Sequence, residues 1–440
     1  MVGRGILTMI LLSNINSFKR CISCYLLFCF IISESLAGPM HKPSYMPSAT
    51  AESVGMSSKG LAKIDKLFQD KIDAGLIQGG VTIVARKGKV VHFSTHGKMD
   101  VARNRDMEPD ALYHMASSSK PLIAAAAMIA VDDGLIDVDD PVSAYIPEFA
   151  EVKVAISPDS AKGIYSKKGK TVKNGSYGLV PVDQPVTIHH LLTHTSGIPY
   201  FSLGPKSKKS SKDETWSIAE YARKVAGSPL AFQPGTEWGY SNDALDVIAR
   251  VIEVSSGKPF IEFIKEKLLD PLNMKNTYFK LPEDKGSKRL VLEGKDSKVA
   301  LEKYFWSGLG LSSSAEDYLH FNQMLLNGGE LFGRRVLSEE SVRIMSSDHV
   351  GDIFSQTYEK DEKDEKDEKG QLGYGWGYQV RITLNPEEAK NNRGKGSFGW
   401  GGMGGTSSWA DPENELAAVV MLQQENGKGF AKAVLDSIIE

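Results

Sequence analysis

The sequence predicts an α+β fold: an antiparallel sheet flanked by helices, built from both chain ends, with a large, mostly helical domain inserted between its halves. Three observations carry this. Short apolar and β-branched segments broken by glycine turns occur at about 81–95 and again after residue 374. Between about 116 and 350, apolar residues recur mainly at helical spacing. Within that stretch, residues 121–130 are alanine-rich and apolar on every side, which places their helix in a domain interior. Strands at both ends and helices between them assemble most simply as one sheet carrying an insertion.

Size and composition fit a soluble globular protein. The 440 residues exceed one average domain, and 41% hydrophobic with 24% charged residues is ordinary for a globular chain. A formal net charge of −3 argues against a nucleic-acid partner. Residues 1–37 read as a signal peptide: Lys19 and Arg20 precede an apolar run at 21–32, and Ser35-Leu36-Ala37 offers small residues for cleavage. Met9 is an alternative start. The apolar run is too short to span a bilayer, so the expectation is an exported protein, periplasmic or secreted, with no stable membrane insertion after cleavage. Cys21, Cys24 and Cys29 all lie in this segment. The mature chain then has no disulfide-linked partner, no thiolate metal site and no cysteine nucleophile.

Residues 38–55, rich in Pro, Ser and Ala, read as a flexible leader. A sheet domain is expected from 56–115 together with 371–440. It opens with a helix whose face is Leu61, Ile64, Leu67, Phe68 and Ile72, capped by Ser57 or Ser58 and stopped at Gly75. A hairpin follows, 81–86 and 90–95 around Lys87-Gly88-Lys89, with His92 and His96 expected at its surface. The helical domain runs from 116 to 354. In it, Asp132, Asp133, Asp137, Asp139 and Asp140 read as a solvated turn, because their spacing does not fit an EF-hand. Residues 150–183 form a polar excursion; its Gly169-Lys170-Thr171 lacks the first glycine of a phosphate-binding loop, since Ile164 stands there. His190 and His194 have metal-ligand spacing without the intervening glutamate, so a structural role is expected and no metal or cofactor is implied. Residues 203–213 read as a Lys/Ser-rich loop. Further helices are expected after Asn242, at about 260–269, and after the caps Ser314 (with Asp317 in the capping-box position) and Ser338. Residues 355–370 hold a balanced charged repeat and read as a low-complexity loop. Strands at 374–383, 398–400, 406–410 and 416–423 and a helix at 429–439 complete the chain.

The chemistry centres on Ser117 and Lys120, at the start of the alanine-rich helix. Residues three apart on a helix are neighbours, so the amine can reach the hydroxyl. The free N–H groups of the first turn and the helix dipole favour negative charge there. A lysine shielded from water can give up its proton and act as a base. Pro121 falls in the first turn, where a missing N–H costs little. Ser-x-x-Lys also occurs at Ser255–Lys258, where Gly257 and Pro259 mark a helix C-cap. Two distant segments complete a plausible constellation. Tyr240 and Asn242 end a tight loop before a helix, and Trp400-Gly401-Gly402 ends a strand read as a sheet edge. An ester or amide hydrolase needs these parts: an activated hydroxyl, a proton shuttle and donors for an oxyanion.

With these residues the chain resembles the serine β-lactamase and penicillin-binding protein superfamily, most of all class C β-lactamases and family VIII carboxylesterases. Ser117-x-x-Lys120 and Tyr240-Ser-Asn242 match its motifs, and the phrases His190-Leu-Leu-Thr-His-Thr-Ser-Gly197, Pro234-Gly-Thr, Gly308-Leu-Gly-Leu-Ser-Ser313 and Asp411-Pro412 are family-like. The resemblance runs from about Met56 to the C-terminus and implies a β-lactamase-like fold. It implies that Ser117 is acylated, that Tyr240 and Lys120 share the general-base work, and that Asn242 holds the substrate's amide or ester chain. The backbone N–H groups of Ser117 and Met403 would form the oxyanion hole, with Trp400, Gly401 and Gly402 along the substrate. The chain departs from the pattern at Trp400. Relatives that bind β-lactams have Lys or His there, a cation for the drug's carboxylate. Indole offers apolar surface and one N–H, and Trp-x-Gly here is similar to the carboxylesterases.

The leading expectation is a serine carboxylesterase acting on a small-molecule ester. The alternatives are a β-lactamase or D-alanyl-D-alanine carboxypeptidase-like amide hydrolase, or a transesterase. A non-catalytic binding protein would be expected to lack one of Ser117, Lys120 and Tyr240, and all three are present. An α/β-hydrolase would need a Gly-x-Ser-x-Gly elbow, which is missing.

Overall fold

The computed structural model describes residues 38–157, 160–163, 178–200, 216–292, 307–354, 372–424 and 426–439. Helix α1 (Ser58–Asp73) starts where the Ser57 hydroxyl accepts the Gly60 N–H, and the chain leaves it through Gly75 at φ 66°. Strands β1 (Gly79–Arg86) and β2 (Lys89–Asp100) follow as a hairpin. Its two turn residues, Lys87 and Gly88, both have positive φ, the turn that matches the strands' twist. After β3 (Arg105–Asp106) the main sheet resumes only near the C-terminus, as β4 (Tyr374–Trp376), β5 (Arg381–Thr383), β6 (Phe398–Gly401), β7 (Ser407–Asp411) and β8 (Leu416–Met421). The eight strands run β4-β5-β6-β7-β8-β1-β2-β3, antiparallel throughout. The two chain ends meet at β1 and β8, with Val81 opposite Met421 and Arg86 opposite Leu416.

Side-chain alternation sorts this junction into two cores. Val81, Ile83, Ala85, Ala417, Val419 and Met421 face the larger core, which contains helices α2 (Lys120–Asp132), α3 (Asp243–Ser256) and α4 (Ala315–Leu326). Val84, Trp409, Ala418 and Val420 face a smaller core closed by Leu61, Ile64 and Phe68 of α1 and Phe430 and Val434 of α5 (Phe430–Leu435). Every residue of β1 and β8 is buried; β8 reads as an unbroken apolar run, while β1 also buries Thr82 and Arg86. In α2, residues 122–128 have no exposed surface. Four consecutive alanines, 124–127, let α3 and the short helix Glu339–Met345 pack closely against it.

Several sequence expectations need correction. Residues 38–55 are not a loose leader: the His41 N–H bonds Phe93 O (2.8 Å), the Val90 N–H bonds Pro47 O (2.8 Å), and Met46 is buried. This segment covers the outer edge of β2, whose backbone groups need partners, and an edge tolerates its prolines. His92 and His96 are buried rather than on the surface. Period two puts them on one side of β2 with Ser94, beneath α1, where Ser94 Oγ lies 2.9 Å from His92 Nε2 and 3.0 Å from both His96 Nε2 and Asp65 Oδ1. Strand β6 is not an edge strand; it lies between β5 and β7, though β5 pairs with it only as far as Gly399. Helix α4 lies in the 116–354 segment by sequence but packs on β1, β7 and β8. Residues 374–383 form a hairpin, not one strand.

The remaining differences are local. The helix begun at Phe260 turns into a π-helix over Lys265–Leu269. Ser314 caps α4, but the Asp317 carboxylate accepts from Asn276 N and Thr277 Oγ1 instead of closing a capping box. Part of the 150–183 excursion is a small sheet, Lys153–Ser157 between Ser160–Gly163 and Gly178–Pro181. The expected signal peptide, the loop at 203–213, Gly169-Lys-Thr171 and the charged repeat at 355–370 lie outside the described residues. No helix among the described residues is long and apolar enough to cross a membrane.

Candidate active site

Ser117 sits in a 3-10 turn, Ala116–Ser119, that runs directly into α2. Three residues per turn brings side chains i and i+3 into line. That is why Lys120 Nζ lies 3.2 Å from Ser117 Oγ. The turn begins at Ala116 with φ 45°, a conformation costing a non-glycine residue on the order of 1–3 kcal/mol. Its surroundings hold it there. The Met115 N–H bonds Leu311 O at 2.8 Å, Tyr318 Oη donates to Ser118 O at 2.6 Å, and Thr406 Oγ1 lies 3.0 Å from Ser118 Oγ and 3.2 Å from Met115 O. The neighbours Ser118 and Ser119 are thus bonded into the scaffold, while Ser117 is partly exposed.

Lys120 is fully buried. Its Nζ donates to Asn242 Oδ1 (2.7 Å), Gly308 O (3.1 Å) and Ser117 Oγ (3.2 Å). Three acceptors match the three N–H groups of an ammonium. The same nitrogen lies 4.8 Å from the centroid of the Tyr240 ring. Hydroxyl, amide and phenol, from three distant parts of the chain, therefore meet at one buried nitrogen. Asn242 stands immediately before α3, yet its side chain does not cap that helix. Its Oδ1 goes to Lys120, and its buried Nδ2 has no hydrogen-bond partner among the described residues, a donor left in hand at the site.

Tyr240 Oη accepts the indole N–H of Trp400 at 3.0 Å. Aromatic rings surround the phenol: His194 at 4.6 Å, Trp400 at 5.9 Å, and Trp238 and Tyr200 at 6.0 Å between centroids, with Trp376 standing perpendicular to Trp400 at 4.7 Å. His194 is fully buried with φ 61°; its Nδ1 accepts the Ser241 N–H (3.3 Å) and its carbonyl accepts the Gly239 N–H (2.8 Å). Burial first, and then the charge of Lys120, hold its imidazole well below the ordinary pKa, so it stays neutral. His194 thus positions the Tyr240 loop, a structural role as expected, but beside the candidate chemistry. His190 closes a capping box with Thr187.

The third segment reaches the site along β6. Gly402 lies so close to Met115 that a Cβ there would sit 2.1 Å from Met115 O, so only glycine lets the strand end meet the segment carrying Ser117. The Gly402 N–H bonds Thr406 O (2.8 Å), and the Met403 side chain beyond it points into solvent, 77% exposed. The second Ser-x-x-Lys is elsewhere: Ser255 and Ser256 end α3, Gly257 follows at φ 69°, and Lys258 pairs with Glu266 on the surface.

Sequence reasoning named Ser117, Lys120, Tyr240, Asn242, Trp400, Gly401, Gly402 and Met403, and the structure brings these segments together. It missed Gly308, whose carbonyl holds Lys120, and the ring of His194, Trp238 and Trp376 around Tyr240. The family-like phrases at 190–197 and 308–313 were the available signal for His194 and Gly308.

A family model described as Beta-lactamase matches residues 64–439. The chain belongs to the Beta-lactamase family. Within the wider set of relatives, it is 31% identical over 379 residues to protein Rv1367c of Mycobacterium tuberculosis, covering 81% of this chain and 88% of that one. It is 26% identical over 396 residues to esterase EstB of Burkholderia gladioli, covering 82% and 89%. Among solved structures it shares the fold of EstCE1, described as a hydrolase with promiscuous acyltransferase activity, with a TM-score of 0.67, 23% identity and coverage of 87% and 99%.

Proposed function

We propose that this Beta-lactamase family member is a carboxylic ester hydrolase working through an acyl-enzyme on Ser117. One observation carries the reading: Ser117 Oγ and the Tyr240 ring lie against the same buried Lys120 nitrogen, 3.2 Å and 4.8 Å away. The Lys120 cation over the ring and the Trp400 N–H on its oxygen both stabilise negative charge on the phenol, the form that takes a proton. As Ser117 Oγ attacks the ester carbonyl carbon, its proton passes to Tyr240 with Lys120 alongside. The tetrahedral oxyanion takes hydrogen bonds from the Ser117 and Met403 backbone N–H groups. Collapse breaks the bond to the alkoxy oxygen, which leaves as an alcohol with the proton returned by Tyr240. Water, deprotonated by the same group, then releases the acid. An acceptor alcohol in place of water would give transesterification. Asn242 Nδ2 is the donor available to the substrate's ester chain.

The name of the relative EstB supports esterase over amidase. So does Trp400, whose N–H is engaged by Tyr240 and which brings no cation to a β-lactam carboxylate. The expected result is turnover of p-nitrophenyl butyrate far faster than nitrocefin; the reverse order would favour the amide hydrolase. The composition of residues 1–37 supports export to a periplasmic or extracellular location. N-terminal sequencing of protein recovered outside the cytoplasm, beginning near residue 38, is the matching test.

A further inference from the structure

The two N–H groups assigned to the oxyanion, those of Ser117 and Met403, belong to distant segments of the chain. Their spacing must be fixed for the pair to act together. Neither segment is well suited to hold itself. The turn carrying Ser117 starts at Ala116 with φ 45°, an unfavourable conformation for a residue with a Cβ. Met403 lies in the loop 402–406 that closes the β6–β7 hairpin, where Gly401 pairs with Ser407. Gly402, Gly404 and Gly405 make that loop permissive, with φ 105° at Gly404 and 100° at Gly405. The Met403 side chain points into solvent and adds little anchorage.

One residue, Thr406, is bonded to both segments. Its Oγ1 donates to Met115 O at 3.2 Å. With that single proton committed, Ser118 Oγ, 3.0 Å away, is the donor of the second bond. Met115 O also accepts the Ser118 N–H at 2.9 Å, the bond that closes the turn around Ala116 and Ser117. The Thr406 backbone holds the other segment. Its carbonyl accepts the N–H of Gly402, the residue before Met403, at 2.8 Å, and Gly402 O accepts the Gly405 N–H at 3.0 Å. The approach is close: a Cβ on Gly402 would lie 2.1 Å from Met115 O and 2.4 Å from Thr406 Oγ1. Met115 O, Gly402 and the Thr406 hydroxyl therefore form one packed unit between the two donors. Thr406 and Ser118 are both buried, so water does not readily replace a bond lost there.

We propose that Thr406 is a positioning residue whose hydroxyl clamps the loop carrying Met403 to the turn carrying Ser117, and so sets the geometry of the oxyanion hole. This rests on the esterase reading. Among the described residues, the hydrogen bonds of that hydroxyl go to Met115 and Ser118, not to Lys120 or Tyr240, so its loss should spare the proton transfer. The test measures kcat and KM for p-nitrophenyl butyrate over pH 5–9. It also measures Ki for butylboronic acid, whose tetrahedral adduct on Ser117 places an oxygen in the hole. The proteins are the wild type, Thr406→Val, Thr406→Ser and Ser118→Ala, each with a thermal melt. Thr406→Val is expected to lower kcat about 10- to 100-fold and to raise Ki by a similar factor, because the donors act over a narrow range of distance. KM should stay within about twofold, and the acidic limb of the pH profile should stay in place. Thr406→Ser, which keeps the hydroxyl, should retain activity to within about threefold, and Ser118→Ala should lose about three- to tenfold in kcat. A Thr406→Val enzyme with unchanged kcat, a loss confined to KM, an unchanged Ki or a shifted acidic limb would each overturn the proposal. So would Thr406→Ser as impaired as Thr406→Val, which would move the effect from the hydroxyl to packing. If Thr406→Val does not fold, Thr406→Ser and Ser118→Ala still decide. A wild type that turns over no ester would overturn the esterase reading instead, and Ki would still report on the hole.

Discussion

Trp400→Phe isolates the contribution of one hydrogen bond. Phenylalanine keeps an aromatic ring beside Trp376, 4.7 Å from Trp400 and perpendicular to it, and beside Tyr240 at 5.9 Å, but removes the N–H that reaches Tyr240 Oη at 3.0 Å. If that oxygen carries negative charge when it holds no proton, the bond is charge-assisted and contributes about 1.5–3 kcal/mol. At about 1.4 kcal/mol per factor of ten, kcat for p-nitrophenyl butyrate should fall roughly 10- to 150-fold. KM should change little, because the ring surface remains. The acidic limb of the kcat/KM profile should move to higher pH, because the proton-free phenol loses a stabilising donor. Stopped assays over pH 5–9, with thermal melts to confirm folding, would measure all three. A kcat within twofold of wild type, or a loss confined to KM, would refute the role given to the indole N–H.

Other outcomes follow from the same geometry. Ser117→Ala should abolish ester hydrolysis, while Ser255→Ala should stay within about twofold, since Ser255 Oγ bonds along its own helix, to Ile252 O; steady-state rates decide. Ala125→Leu, at a fully buried position in α2, should lower stability by about 1–3 kcal/mol through overpacking, read from urea unfolding. Stability should fall as pH drops from 6.5 towards 4. Burial pushes His92, His114, His189 and His320 to about 4 and holds His194 well below the ordinary value, so in that window the unfolded chain takes up protons that the folded chain refuses. Asp317, raised to about 7 by burial, holds a proton in the folded state and opposes one of these five, so the direction stands. Urea unfolding at pH 4.5, 5.5 and 7.0 would test this, and equal free energies would contradict it.

The fold was legible because its signals are local or repeat along the chain. The Lys87-Gly88 turn announces the hairpin, and the apolar runs of β1 and β8 announce strands covered on both faces. The alanines of α2 announce a helix that others approach closely. Ser117 and Lys120 could be paired from their spacing, but Ser255 and Lys258 share it, and the motifs at 240–242 and 400–402 decided between them. What stayed hidden depends on partners distant in sequence. Histidines alternating on a strand look alike whether solvent or a helix covers them; here Asp65, on α1, settles their burial. The prolines of 38–55 suggested a loose segment because nothing local shows that the edge of β2 requires cover. Indole could be predicted to offer one N–H, but not that Tyr240 would accept it. A backbone carbonyl such as that of Gly308 leaves no trace in side-chain motifs.

The most direct test of the central claim is peptide mass spectrometry after reaction with a fluorophosphonate, which marks an activated serine covalently. The adduct is expected on Ser117, and it should be lost when Tyr240 is changed to Phe. An adduct on Ser118, Ser119 or Ser255, or no adduct on protein that still hydrolyses esters, would contradict a nucleophile at the head of α2.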